Sequence, residues 1–202
     1  MPDRGSKMKR WLDAFARRGH AVMFARPKQS DLATVEICTV SDFARSVRAE
    51  FGYEISEIES VKRDPPDCTA QFRGRQISIE LTELVDQEML RDLDQAQKKG
   101  KFISADERFR RTQWDAERLR RELDARLDGK QAKCARNATY VDVLIVHSAE
   151  NWLCQLDVEE WLGELEFEPR PNIRSAYLLL ASGGSHGPHW PVFCLYGGLD
   201  AP

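Results

Sequence analysis

Asp67-Cys68-Thr69-Ala70-Gln71-Phe72-Arg73-Gly74-Arg75-Gln76-Ile77-Ser78-Ile79-Glu80-Leu81-Thr82 is the stretch on which the fold of this chain turns. It reads as a β-hairpin with a two-residue loop at Arg73-Gly74. That loop pairs residue 72 with 75 and, counted down the strands, 67 with 80. Strand alternation then puts Asp67, Thr69, Gln71, Gln76, Ser78, Glu80 and Thr82 on one face. Cys68, Ala70, Phe72, Ile77, Ile79 and Leu81 share the other. One polar and one apolar face make this register self-consistent, since a slip of one residue would invert both.

Asp67 across from Glu80 is the chemically informative pair. Directly opposed residues have Cβ atoms roughly 5 Å apart, and like charges there repel. A bound cation would remove the repulsion, and hard divalent cations prefer oxygen ligands. Two acids on an exposed face can equally be solvated. A longer turn would set Thr82, not Glu80, opposite Asp67.

The rest of the chain bounds what this hairpin can belong to. A length of 202 residues fits one domain, or one with an appendage, and can bury a real core. Acids number 33 against 30 lysines and arginines, so no global charge marks a nucleic-acid binder and any basic surface must be local. The longest apolar runs are too short to cross a membrane. The N-terminal residues Met1-Pro2-Asp3-Arg4 lack the apolar core of a secretory signal. Cysteines 38, 68, 134, 154 and 194 form no C-x-x-C pair, which argues against a zinc site or disulfide framework and suits a reducing cytoplasm.

Residues 1–28 are basic, with a helix expected over Lys7–Arg18. Ser41-Asp42 reads as the start of a second helix carrying Phe43, Val47 and Phe51. Residues 54–62 read as a strand ahead of the hairpin. The polar stretch from Asp86 to Lys133 breaks at Lys99-Gly100-Lys101. Its second part is helical through Leu119, Leu123 and Leu127, with Asp128-Gly129 as a stop signal. Tyr140–His147 is dense in β-branched residues and reads as a buried strand. A short helix over Val158–Leu165 and strands over Ser175–Ala181 and Pro191–Tyr196 follow. The order predicts an α/β fold with a mixed sheet. Its core is expected from Ile77, Ile79, Leu81, Val143 and Ile145 together with Leu119, Leu123 and Leu127.

That order, with Pro66-Asp67 before one strand and Glu80-Leu81-Thr82 in the next, resembles the PD-(D/E)XK nuclease-like, or restriction-endonuclease-like, superfamily. The resemblance covers roughly residues 41–148. It implies an αβββαβ core, here with extra C-terminal strands, over residues 41–202, with residues 1–40 as a basic extension packed on it. It implies that Asp67 and Glu80 bind Mg²⁺ or Mn²⁺, with the Leu81 carbonyl as a third ligand option. It also implies an acid from the first core helix, for which Glu50 is the choice and Glu54 and Glu57 are rivals.

One position departs from the family pattern. Its usual lysine, two residues after the Glu, is Thr82 here. Some branches carry that lysine on a neighbouring helix, which makes Lys130 and Lys133 candidates for a catalytic role beside Asp67, Glu80 and Thr82; Lys98 is another. Each lysine can equally serve as a cation at a helix C-terminus. The implied activity is metal-dependent hydrolysis of a phosphodiester in DNA or RNA. The alternative is a catalytically silent domain of the same fold that binds a protein or nucleic acid.

Other polar groups point less sharply. His147 ends an apolar strand, and His186 and His189 flank the Gly183-Gly184-Ser185 loop, which lacks the Lys-Ser/Thr of a P-loop. Arg108, Arg110, Arg111, Arg118, Arg120 and Arg121, with Trp114 between, could hold a phosphate backbone. With acids interleaved, they also fit a solvated helix face carrying i,i+4 pairs.

Overall fold

The computed structural model describes residues 29–62, 64–85, 91, 95–96, 98–100, 114–148, 153–180 and 189–200. The element order is α1 (Gln29–Phe51), β1 (Ile55–Ser60), β2 (Cys68–Phe72), β3 (Arg75–Glu83), α2 (Ala116–Arg136), β4 (Val141–Ser148), α3 (Gln155–Gly163), β5 (Ile173–Leu180) and β6 (Val192–Tyr196). The six strands form one mixed sheet in sequence order. β1, β2 and β3 run antiparallel, β3 to β4 and β4 to β5 are parallel, and β6 returns antiparallel to β5.

The hairpin register is the one the Arg73-Gly74 turn predicts, with Phe72 opposite Arg75 and Cys68 opposite Ile79. Both turn residues have positive φ, 49° at Arg73 and 74° at Gly74. Two-residue turns of that hand match the twist of the flanking strands.

The expected single core divides into two. On one face, α1 lays Val40, Phe43 and Val47 over Ile77, Ile79, Val143, Ile145 and Tyr177, and the Phe43 and Tyr177 rings meet edge-on at 5.2 Å. On the other, α2 lays Leu119, Leu123 and Leu127 over Leu144, Val146, Ala176 and Leu178, with α3 contributing Val158. The helix leucines and the Ile77–Ile79 face therefore never meet. β4 explains the division. It is a central parallel strand, apolar on both faces, so Val143 and Ile145 point one way and Leu144 and Val146 the other.

All three helices differ in extent from the sequence reading: α3 covers Gln155–Gly163 rather than Val158–Leu165, and one end each of α1 and α2 moves further. α1 starts at Gln29, so Ser41-Asp42 lies inside it and the expected boundary at residue 40 falls within one helix. The Ser41 hydroxyl donates to the Ile37 carbonyl at 2.7 Å, as Thr39 does to Val35 and Ser46 to Asp42. Hydroxyls that bond four residues back are absorbed by the helix rather than starting it. α2 runs through Gly129 to Arg136. A mid-helix glycine costs only about 1 kcal/mol relative to alanine, which tertiary contacts can override. Here Arg170 pairs with Asp124 and Asp128 at 2.9 and 2.8 Å. Gln131 and Asn172 exchange two hydrogen bonds on the same side. These contacts fasten the second half of α2 to the segment entering β5.

The expected Lys7–Arg18 helix, the Gly183–Gly187 loop, His186 and Arg108, Arg110 and Arg111 lie outside the described residues. Among the described residues, no helix is long and apolar enough to cross a membrane.

Candidate functional site

Asp67 stands immediately before β2, and the hairpin fixes its carboxylate. Its N–H donates to the Ile79 carbonyl at 3.1 Å. Its Oδ2 accepts the Leu81 N–H at 2.8 Å. A side-chain oxygen thus satisfies a β3 amide at the point where β2 begins. Glu80 lies one residue before Leu81 on the face covered by α2, and its side chain is only 1% exposed.

A buried carboxylate needs charged or hydrogen-bonding partners, and α2 supplies them. Lys130 Nζ lies 2.6 Å and Lys133 Nζ 2.9 Å from the same Glu80 Oε1. Lys133 also pairs with Asp64, just before the Pro65-Pro66 segment. Lysines three residues apart share a helix face. Continuation of α2 past Gly129 is therefore what brings both to one carboxylate. Glu80 Oε2 is buried and has no hydrogen-bond partner among the described residues.

Asp64, Asp67 and Glu80 each offer a carboxylate oxygen, and these atoms lie within 4.8 Å of one another. Burial, then the Glu80 charge, pushes the Asp67 carboxyl up to about 6, against the lowering effect of the Leu81 N–H. Burial also raises Glu36 of α1, with Asp64 and Glu80 adding to the rise and its Ser60 hydrogen bond and Lys130 opposing it. Glu36 thus borders the same cluster. Burial works against the Lys133 charge, but its hydrogen bonds to Asp64 and Glu80 outweigh that and hold its pKa above the usual lysine value. Burial pushes the neighbouring Cys68 thiol up to about 12 and raises Cys134 as well. Both stay protonated at neutral pH, so the donors available here are oxygens.

The sequence candidates divide on this geometry. Asp67, Glu80, Lys130 and Lys133 come together. Glu50 does not: it is exposed near the C-terminal end of α1, and Glu36 is the acid that α1 brings to the cluster. A helix begun at Ser41 could not contain Glu36, so the late start hid it. Glu54 forms an exposed pair with Arg48 at 3.1 Å, and Glu57 is exposed on β1. Asp64, three residues before Asp67, joins the cluster, an acid that the strand pattern does not single out.

Thr82 is half-buried on the Glu80 face, opposite Val146. Lys98 is exposed, and His147 and His189 are half-buried outside the acidic group. Lys130 and Lys133 belong to the last turns of α2 rather than to a segment after it. Along α2, Arg120 lies 3.7 Å from Asp124, Arg121 3.8 Å from Glu122, and the Arg118 guanidinium covers the Trp114 ring at 4.7 Å. That is the internally paired helix face, with its charges already engaged.

Three carboxylates, from the exposed Asp64 to the buried Glu80, and two ammonium groups at the base of a hairpin can hold a small hard cation or a phosphate-bearing ligand beside one. No family model matches this chain, and neither the curated proteins nor the solved structures yield a match.

Proposed function

We propose that this protein is a metal-dependent phosphodiesterase of the PD-(D/E)XK type, acting on DNA or RNA. The observation that carries the reading is the convergence of Asp64, Asp67 and Glu80 within 4.8 Å, with Lys130 and Lys133 against them. The helix, three strands, helix and strand from α1 to β4 support a restriction-endonuclease-like core.

The residues fit a divalent ion. Their donors are all carboxylate oxygens, which suits Mg²⁺ or Mn²⁺. The buried Glu80 Oε2 lacks any other partner among the described residues. Asp67, Glu80 and Asp64 would hold the ion, with Glu36 as a further acid at the margin. When bound, it would supply Lewis-acid polarisation of a phosphoryl oxygen and a lowered pKa for water.

The chain's own groups do the rest. The Leu81 N–H orients Asp67 through one oxygen and leaves the other for a ligand. Lys130 supplies the positive charge that Thr82 does not, from the helix rather than from β3. A cation fixed by packing before reaction stabilises negative charge developing on a phosphodiester without reorganising. Thr82 offers a hydroxyl on the same face for holding water.

One observation favours a second reading. Lys130 and Lys133 already neutralise Glu80 without any ion, as they would in a catalytically silent domain that binds a partner. Incubation of the purified protein with single- and double-stranded DNA and RNA, in Mg²⁺, Mn²⁺ or EDTA, separates the two. The phosphodiesterase reading expects EDTA-sensitive cleavage that is lost in Glu80→Gln. Absence of cleavage on every substrate by a folded, ion-binding protein would leave the silent domain.

A further inference from the structure

The two lysines on Glu80 are not equivalent. Among the described residues Lys130 pairs with Glu80 only, and its side chain is 18% exposed. Lys133 spans Glu80 and Asp64, two of the three converging acids, and is 26% exposed. Its second partner, Asp64, is 61% exposed. Lys133 therefore lies at the open side of the cluster and Lys130 at the closed side.

An ammonium hydrogen-bonded to two carboxylates does what a metal ion does: it cancels their repulsion and draws them together. A divalent ion shared by Asp64, Asp67 and Glu80 would draw on the same two carboxylates that Lys133 spans. It would also repel a neighbouring ammonium strongly in a poorly solvated site. Lysine is suited to leaving, because its charge rides on a flexible four-carbon stem. On release it stays near the C-terminal end of α2, where the helix carbonyls favour a cation.

We propose that Lys133 is a built-in competitor for the divalent ion. Its ammonium bridges Asp64 and Glu80 in the metal-free protein and is displaced when the ion binds, while Lys130 remains on Glu80. This rests on the metal-centre reading above and deepens it. The site is held assembled without metal, and the ion must compete with a resident cation. Lys133 thereby sets how much metal the protein needs, and Lys130 is the charge left for the substrate.

Calorimetric titration of the full chain with Mn²⁺ at fixed ionic strength tests this, using wild type, Lys133→Met, Lys130→Met and Glu80→Gln. Wild type should bind and Glu80→Gln should not. Lys133→Met should bind about tenfold tighter than wild type, the scale expected when a competing charge in direct contact is removed. Lys130→Met should tighten binding less. Amine labelling of wild type followed by mass spectrometry adds a readout that needs no variant: Mn²⁺ should raise labelling of Lys133 and leave Lys130 protected.

If wild type binds, Glu80→Gln does not, and Lys133→Met matches wild type or trails Lys130→Met, the competitor role is wrong and the metal centre stands. If neither wild type nor Lys133→Met binds, the metal centre itself fails and the competitor role goes with it. Should Lys133→Met not fold, Lys133 labelling in wild type that Mn²⁺ leaves unchanged or lowers would overturn the proposal.

Discussion

The Lys130 ammonium lies 2.6 Å from Glu80 Oε1, and the carboxylate it meets is only 1% exposed. The pair is asymmetric in burial. Removing the lysine leaves a buried charge short of partners. Removing the carboxylate's charge leaves two lysines that can reach solvent. Breaking a buried pair from its charged side costs up to roughly 3–5 kcal/mol, and Lys133 reduces that here. We therefore expect Lys130→Met to destabilise the metal-free protein by about 1–3 kcal/mol and Glu80→Gln by less. Denaturant titration of both variants measures the order. The reverse order would mean that Lys130 is not what keeps Glu80 buried.

Asp67 should lower stability where it is ionised. Burial and the Glu80 charge raise its carboxyl from 3.8 to about 6. Between those values the native state holds a proton that the unfolded chain has released. Stability contributed by Asp67 is thus complete below about pH 4 and falls as pH rises to 6. Asp67→Asn removes the charge and keeps an oxygen to accept the Leu81 N–H. In EDTA at pH 7.5 it should melt several degrees above wild type, and the gap should close near pH 4. A variant that melts below wild type at both pH values would place the residue's importance in its hydrogen bond.

Gly129 tests the continuation of α2 that the site depends on. An added Cβ there would meet no atom within 4 Å, and Gly129 is not among the residues with positive φ. Gly129→Ala should stabilise the protein by about 0.5–1 kcal/mol, raising Tm by a few degrees. A glycine that ended the helix in a left-handed conformation would give the opposite sign.

How far the sequence could be read follows from which interactions are local. The hairpin was legible because a two-residue turn and period-two alternation both act over a few residues, and they set the Cys68–Ile79 register. Asp67 and Glu80 came with it. The start of α1 is not legible, because its hydroxyls could start a helix or bond inside one, and burial of Val40, Phe43 and Val47 against the sheet decides between them. The end of α2 is not legible either, because Gly129 carries a real local penalty that Arg170 and Asn172, distant in sequence, override. These two boundaries hide Glu36 and the helical placement of Lys130 and Lys133 from a local reading. The apolar pattern of β4 fits burial on one face or both, so which leucines met which isoleucines was undecided until the parallel β3–β4–β5 pairing was known.

Divalent-ion binding should carry the signature of the Asp67 proton. Carboxylate ligands bind metal deprotonated, so an ion must displace any proton they hold. With its carboxyl near 6 in the metal-free state, Asp67 is mostly protonated at pH 5 and mostly ionised at pH 7. Mn²⁺ affinity should therefore rise by about tenfold per pH unit below that value and level off above it, each ion releasing close to one proton at pH 5. Asp67→Asn should bind more weakly and lose this slope. Titrations in buffers of different ionisation enthalpy count the released protons directly. Wild-type affinity flat between pH 5 and 7 would take Asp67 out of the ligand set, leaving Asp64 and Glu80 to hold the ion.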